Sequence, residues 1–226
     1  MHQWNSDDNF DRLSQAAANR IAECIVHALQ EREVCHVILP GGATPAKTLA
    51  LLAEKSLDWH RIHWYPGDER CCQPGLAERN DLMLQKNLWA RLPQNSLNNK
   101  TIHPIPAELG AELAAETYYE RIKDITRFDV AFLGMGEDGH TASLFPGNKA
   151  LLDQRKIVPV FDSPKPPSER VSFSLAVLGL SRCKIVLASG KSKAAVIARI
   201  KMGENLPVNC LGDIHWYVDQ DAMADC

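Results

Sequence analysis

A hydrophobic run that opens into glycines and ionisable groups constrains this chain more than any other feature. Phe128 to Gly147 reads FDVAFLGMGEDGHTASLFPG. Residues 128–132 are apolar or β-prone except for Asp129, which predicts a buried strand of a parallel sheet, entered from the surface. Gly134, Gly136 and Gly139 follow, interleaved with Glu137, Asp138 and His140. An open α/β sheet presents a site at its carboxyl edge in this way, with glycines that allow sharp turns and close approach to a ligand. The spacing is not that of a dinucleotide fingerprint, which needs an acidic residue on the next strand.

The rest of the chain supplies the other layers. Ser6 or Asp7 is positioned to cap a first helix whose apolar residues, Phe10 to Leu29, recur at helical spacing. Strands are expected at 34–39, 59–65, 157–161, 171–175, 184–188 and 214–218, with helices at 46–54, 81–89, 107–124 and from Gly190 to Met202. Residues 93–99 form an Asn-rich loop, and the proline-rich loop 162–168 is placed to lie over the site as a flap. The alternation predicts a single-domain α/β fold over residues 1–226, with a mostly parallel, doubly wound, Rossmann-like sheet flanked by helices.

Three further stretches carry ionic or anion-binding groups. Pro40 to Pro45, PGGATP, lies between a strand and a helix; it is either an ordinary turn capped by Thr44 or a cradle for an anion. Asp68-Glu69-Arg70 follows a strand end, as a solvated turn or a site edge, and Arg70 is its strongest candidate because a guanidinium presents donors in a fork. Asn80 either starts the next helix as a cap or touches a ligand. Lys191 and Lys193 sit at a helix start, against the dipole, a cost explained if an anion lies there.

Composition excludes several classes. A formal net charge of −3 with no basic run argues against nucleic-acid or membrane partners. No stretch is apolar over the ~20 residues that span a bilayer, and the polar, acidic start is unlike a signal peptide. Seven cysteines without a CxxC pair suit reduced thiols in a cytoplasmic protein. His60 and His63, three apart on a strand, would point to opposite faces, so no metal site is expected. His36 and His103 are given no role. There is no GxSxG elbow.

The run GMGEDGHTASLFPG resembles the signature of the 6-phosphogluconolactonases, relatives of glucosamine-6-phosphate deaminase, and the likeness extends over nearly the whole chain. It implies a NagB/RpiA-type fold. The family's Gly-Gly-Ser-Thr-Pro motif falls on Gly41 to Pro45, with Ala43 where serine is usual. Its Asp-Glu-Arg triplet falls on Asp68 to Arg70, and its Ser-Asn pair on Arg79-Asn80, with the serine replaced. An arginine that holds substrate phosphate falls on Arg170, and the pattern Gly-x-x-Lys-Ala on Gly190, Lys193 and Ala194.

The resemblance implies hydrolysis of 6-phosphogluconolactone without a metal or cofactor. His140 would be the general base, Asp138 would orient its ring, and Arg70 or a loop N–H would hold the oxyanion. Gly41, Gly42, Thr44, Asp68, Asn80, Arg170 and Lys193 would bind the substrate. A structural role for His140 in closing the loop is the alternative. At the level of function, the alternatives are amino-sugar-phosphate deamination and non-catalytic sensing of a sugar phosphate. Ala43 and Arg79 leave room for a sensor. The deaminase loop continues toward Asn-Glu-Pro, whereas here Phe145 precedes Pro146.

Overall fold

A computed structural model describes residues 2–93 and 100–224. In chain order the elements are β1 (Gln3–Asp7), α1 (Phe10–Glu31), β2 (Cys35–Leu39), α2 (Ala46–Ala53), β3 (Ile62–Pro66), β4 (Asp68–Arg70) and α3 (Asn80–Asn87). They continue with α4 (Ala111–Ile122), β5 (Val130–Gly134), β6 (Ile157–Val160), β7 (Arg170–Phe173), α5 (Leu175–Leu180), β8 (Cys183–Ala188), α6 (Ala194–Lys201) and β9 (His215–Asp219).

Six strands pair in parallel in the order β1-β9-β8-β5-β2-β3. Side-chain alternation builds both faces of this sheet. Val130 and Phe132 of β5 point into one buried cluster with Leu13, Ile21 and Ile25 of α1 and Leu49 of α2. Ala131 and Leu133 point into the other, with Tyr118 of α4 and Ile197 of α6. Helices on both faces cover the largely apolar central strands, so the sheet is doubly wound as expected. The chain progresses from β2 to β3 in one direction and from β5 onward in the other. The strand order therefore switches between β2 and β5, where an open sheet leaves a crevice at its carboxyl edge.

Several local expectations are corrected. The polar stretch Gln3–Asp7 is an edge strand, paired with β9 and anchored by Trp4 stacked on Trp216 at 4.8 Å. Asn9, not Ser6 or Asp7, caps α1, accepting from the N–H groups of Asp11 and Arg12. Thr44 does not cap α2; the capping position is Pro45 and no side chain bonds there. The strand expected from Trp59 begins with a 3-10 turn at Trp59–Arg61. The helix expected from Ala107 breaks at Gly110 into a 3-10 turn and α4. The strands expected near 157 and 171 leave the main sheet: with β4 they form an antiparallel sheet ordered β4-β7-β6. Most of the loop expected at 93–99 lies outside the described residues. Among the described residues no helix is long and apolar enough to cross a membrane.

Candidate active site

The crevice between β2 and β5 is a cleft of about 200 Å³. Loop 40–45 after β2, the glycine loop after β5, and Ser189 and Lys193 after β8 form three of its walls. The small sheet supplies the fourth through Asp68, Arg70 and Arg170, and the proline loop contributes Lys165. Of the residues singled out from sequence, Gly41, Gly42, Thr44, Asp68, Arg70, Asn80, His140, Arg170 and Lys193 all line this one space. Asp138 stands behind His140 and does not line the cleft.

The glycine loop folds back tightly. Gly136 N–H donates to the carbonyl of His140, and Thr141 Oγ1 donates to the carbonyl of Gly134. A Cβ at Gly136 would lie 2.0 Å from His140 Nδ1, so only glycine lets the imidazole fold over the strand end. His140 Nδ1 sits 2.5 Å from Asp138 Oδ1, and the His140 backbone N–H donates to the same oxygen at 3.1 Å. An ionised carboxylate accepts only, so Nδ1 carries the proton and Nε2 keeps its lone pair. The ring also packs on Phe145, centroid to centroid 4.4 Å. Burial lowers the His140 pKa below the ordinary imidazole value, with Asp138 and Asp68 opposing the shift. The imidazole is therefore neutral at neutral pH, as a base must be.

The cations come from separate elements. Arg70 and Arg170 are directly opposed across the β4–β7 pair. Burial lowers the Arg170 pKa, and Arg70 lowers it further by repulsion. Burial likewise lowers the Lys193 pKa, with Lys165 adding to it. Four positive side chains converging on one cleft repel one another and call for an anion. Arg70 Nε is buried without a protein partner among the described residues, while its Nη1 donates to the carbonyl of Glu78. Arg170 also donates to the carbonyls of Lys165 and Pro167, at 2.9 and 3.3 Å, and lies over the Phe145 ring. It thus secures the proline loop as well as the cleft wall. Lys191 is exposed.

The carboxylates of the triplet do different work. Asp68 Oδ2 accepts from Ser143 Oγ at 2.5 Å and Oδ1 from Asn80 Nδ2 at 3.1 Å, which fixes it beneath the cleft. Asn80 is not the cap of α3, whose capping position is Arg79. Its amide holds Asp68 and lies so near Gly41 that a Cβ there would meet Oδ1 at 2.0 Å. Glu69 is fully buried and accepts from the N–H groups of Arg70, Asn80 and Asp81. Burial pushes its carboxyl up to about 7.

Arg79, the departure from the family's serine, is almost wholly buried and bonds Asp81, Glu108 and the carbonyls of Cys72 and Ile105. It braces the loop behind the cleft and does not line it. Sequence reasoning passed over Lys165; its only signal was the proline loop around it. His103 stands away from the cleft, 3.0 Å from His63 and stacked on Tyr65. Among the described residues, no three His, Cys, Asp or Glu side chains are grouped to hold a metal.

An open parallel sheet with an imidazole and four cations lining the cleft at its switch point defines an α/β protein whose site suits a small anion. Residues 8–216 match the family described as glucosamine-6-phosphate isomerases/6-phosphogluconolactonase. The chain is 36% identical to the 6-phosphogluconolactonase of Homo sapiens, over 93% of this chain and 86% of that protein. It is 33% identical to the 6-phosphogluconolactonase of Mycobacterium tuberculosis, over 95% and 94%. The crystal structure of the Thermotoga maritima 6-phosphogluconolactonase superposes with a TM-score of 0.90 at 25% identity, covering 97% of this chain and all of that one. The chain belongs to the glucosamine-6-phosphate isomerase/6-phosphogluconolactonase family.

Proposed function

We propose that this protein is a 6-phosphogluconolactonase, a carboxylic ester hydrolase of the oxidative pentose phosphate pathway. It converts 6-phospho-D-glucono-1,5-lactone to 6-phosphogluconate. The observation that carries this reading is His140 on the wall of a cleft lined by four cations, with Asp138 behind it at 2.5 Å. Residues 1–226 act as one catalytic domain, in the cytoplasm, on a small-molecule substrate.

His140 Nε2 takes a proton from water as the water oxygen bonds to the lactone C1. Asp138 holds the Nδ1 proton and stabilises the imidazolium that forms. The carbonyl oxygen becomes an oxyanion, which the Arg70 guanidinium on the cleft wall or a loop N–H receives. The tetrahedral intermediate collapses, the bond from C1 to the ring oxygen breaks, and His140 returns its proton to that oxygen. The new carboxyl group then ionises. Gly41, Gly42 and Thr44 approach the substrate phosphate from one wall, Arg170 and Lys193 from the others, and this fixes C1 at the histidine. Asp68 and Asn80 orient the substrate beside Arg70. A lactone is already an activated acyl group, so the step asks for no cofactor.

Deamination is the second reading within the family. Phe145, nearly fully buried, packs on His140 beside Pro146, and no carboxylate occupies its place. Steady-state turnover of the lactone, set beside turnover of glucosamine 6-phosphate, separates the two. Lactone hydrolysis above the spontaneous rate without release of ammonia supports the proposal. The reverse result would overturn it.

A further inference from the structure

We propose that Cys24 and Cys183 form a dithiol that a hydroperoxide oxidises to an intramolecular disulfide tying α1 to β8. The two sulfurs are 2.7 Å apart, inside van der Waals contact and close to the ~2.05 Å of a disulfide bond. They lie 159 residues apart in the chain, so the fold alone brings them together. Cys183 is the first residue of β8, whose last residue, Ala188, lines the catalytic cleft. The five intervening steps put the pair about 16 Å from that cleft, at the opposite edge of the sheet.

The surroundings suit thiol chemistry. Both sulfur-bearing residues line a separate surface cleft of mixed charge, where Arg32 and Arg182 pair with Asp129 while Arg20 stands by the sulfurs, and Cys24 is partly exposed there. A hydroperoxide therefore has a path to the pair. Cys24 Sγ donates its S–H to Cys183 Sγ. That bond and the nearby Arg20 guanidinium hold the Cys183 thiol below its usual pKa against the effect of burial, while Cys24 stays protonated. Arg20 is itself steered by Glu23 at 3.3 Å and His215 at 3.4 Å. Cys71 and Cys72 differ: burial pushes the thiol of Cys71 up to about 12 and raises that of Cys72, so neither is a ready thiolate.

The step balances. The Cys183 thiolate attacks one peroxide oxygen, an S–O bond forms, and the O–O bond breaks to leave hydroxide, which takes a proton. Cys24 sulfur then attacks the sulfenic sulfur; the S–S bond forms, the S–O bond breaks, and water departs with the Cys24 proton. Two thiols lose two electrons to one hydrogen peroxide, giving a disulfide and two waters.

The test uses the full chain with Cys210→Ser and Cys226→Ser, to remove two other thiols. Hydrogen peroxide treatment, blocking with iodoacetamide and non-reducing peptide mapping should give a 24–183 cross-linked peptide, lost on adding dithiothreitol. With Cys24→Ser, dimedone should trap a sulfenic acid on Cys183. Arg20→Gln should slow oxidation of the pair, because the guanidinium that favours a thiolate there is gone. Oxidant taken up at Cys71 or Cys72 with both Cys24 and Cys183 alkylated would overturn the proposal. A sulfenic acid trapped on Cys24 in Cys183→Ser, with none on Cys183 in Cys24→Ser, would overturn the assignment of Cys183 as the attacking thiolate.

Discussion

His140 gains its chemistry from two neighbours with opposite effects. Burial favours the neutral ring, and Asp138 favours the charged one while fixing which nitrogen is free. Replacing His140 with Ala should lower kcat by about 10²–10⁴-fold, the usual contribution of a general base, with little change in Kd for 6-phosphogluconate. Single-turnover rates and calorimetric titration check the two halves of that statement. The pH profile has a definite sign. A base works when deprotonated, so kcat/KM should fall as pH drops through a His140 pKa below the ordinary imidazole value. In Asp138→Asn the inflection should move to still lower pH, since the carboxylate that favours the imidazolium is gone. A shift to higher pH would mean the carboxylate acts otherwise. Arg79 carries a stability prediction. Its loss leaves a buried space and takes a partner from Asp81 and Glu108, both partly exposed, while Glu69 keeps its three N–H donors; Arg79→Ala should therefore lower stability in urea unfolding by about 1–3 kcal/mol.

Between elements, the cleft depends on joining two sheets. β2, β5 and β8 bring three loops to one edge of the main sheet, while β4 and β7 set Arg70 and Arg170 side by side from the small sheet. Much of the first contribution was legible in sequence, because a buried strand and a glycine-rich turn follow one another at Val130, and a buried strand, a glycine turn and a helix do so from Cys35 and from Cys183. The second was not, since the apolar strands 157–160 and 170–173 carry no mark of which sheet they join. Asp68–Arg70 reads as a solvated turn or a site edge and not as a strand, because three charged residues rarely make one; pairing with β7 overrides that, and Asp68 and Arg70 do edge the cleft. β1 was hidden for the same reason, as QWNSD is a polar edge. Lys165 gains its place from its loop and not from any motif: the proline loop that Arg170 secures carries it to the cleft. Lys165→Ala should raise KM for the phosphorylated lactone and leave an unphosphorylated lactone unaffected, as steady-state kinetics would show.

Across the whole molecule, stability and catalysis place separate histidines in separate environments. His36, His63 and His103 cluster around Tyr65, with His36 Nδ1 2.9 Å from the Tyr65 hydroxyl. Burial lowers all three pKa values, that of His103 to about 4. The unfolded chain therefore binds protons that the folded chain refuses. Their contribution is fully present above about pH 6.5 and is lost as pH falls toward about 4. Tm should decline across that range, and His103→Gln should flatten the decline. In the proposed mechanism, by contrast, catalysis rests on the four cations meeting a phosphate and so delivering the lactone to His140. The decisive measurement is kcat/KM for 6-phosphogluconolactone against unphosphorylated gluconolactone, with spontaneous hydrolysis subtracted, in wild type, Arg170→Ala and Lys193→Ala. A charge-assisted hydrogen bond contributes about 1.5–3 kcal/mol, so each variant should lose one to two decades of the preference for the phosphorylated substrate. Equal rates on the two lactones, or a preference unchanged in both variants, would contradict it.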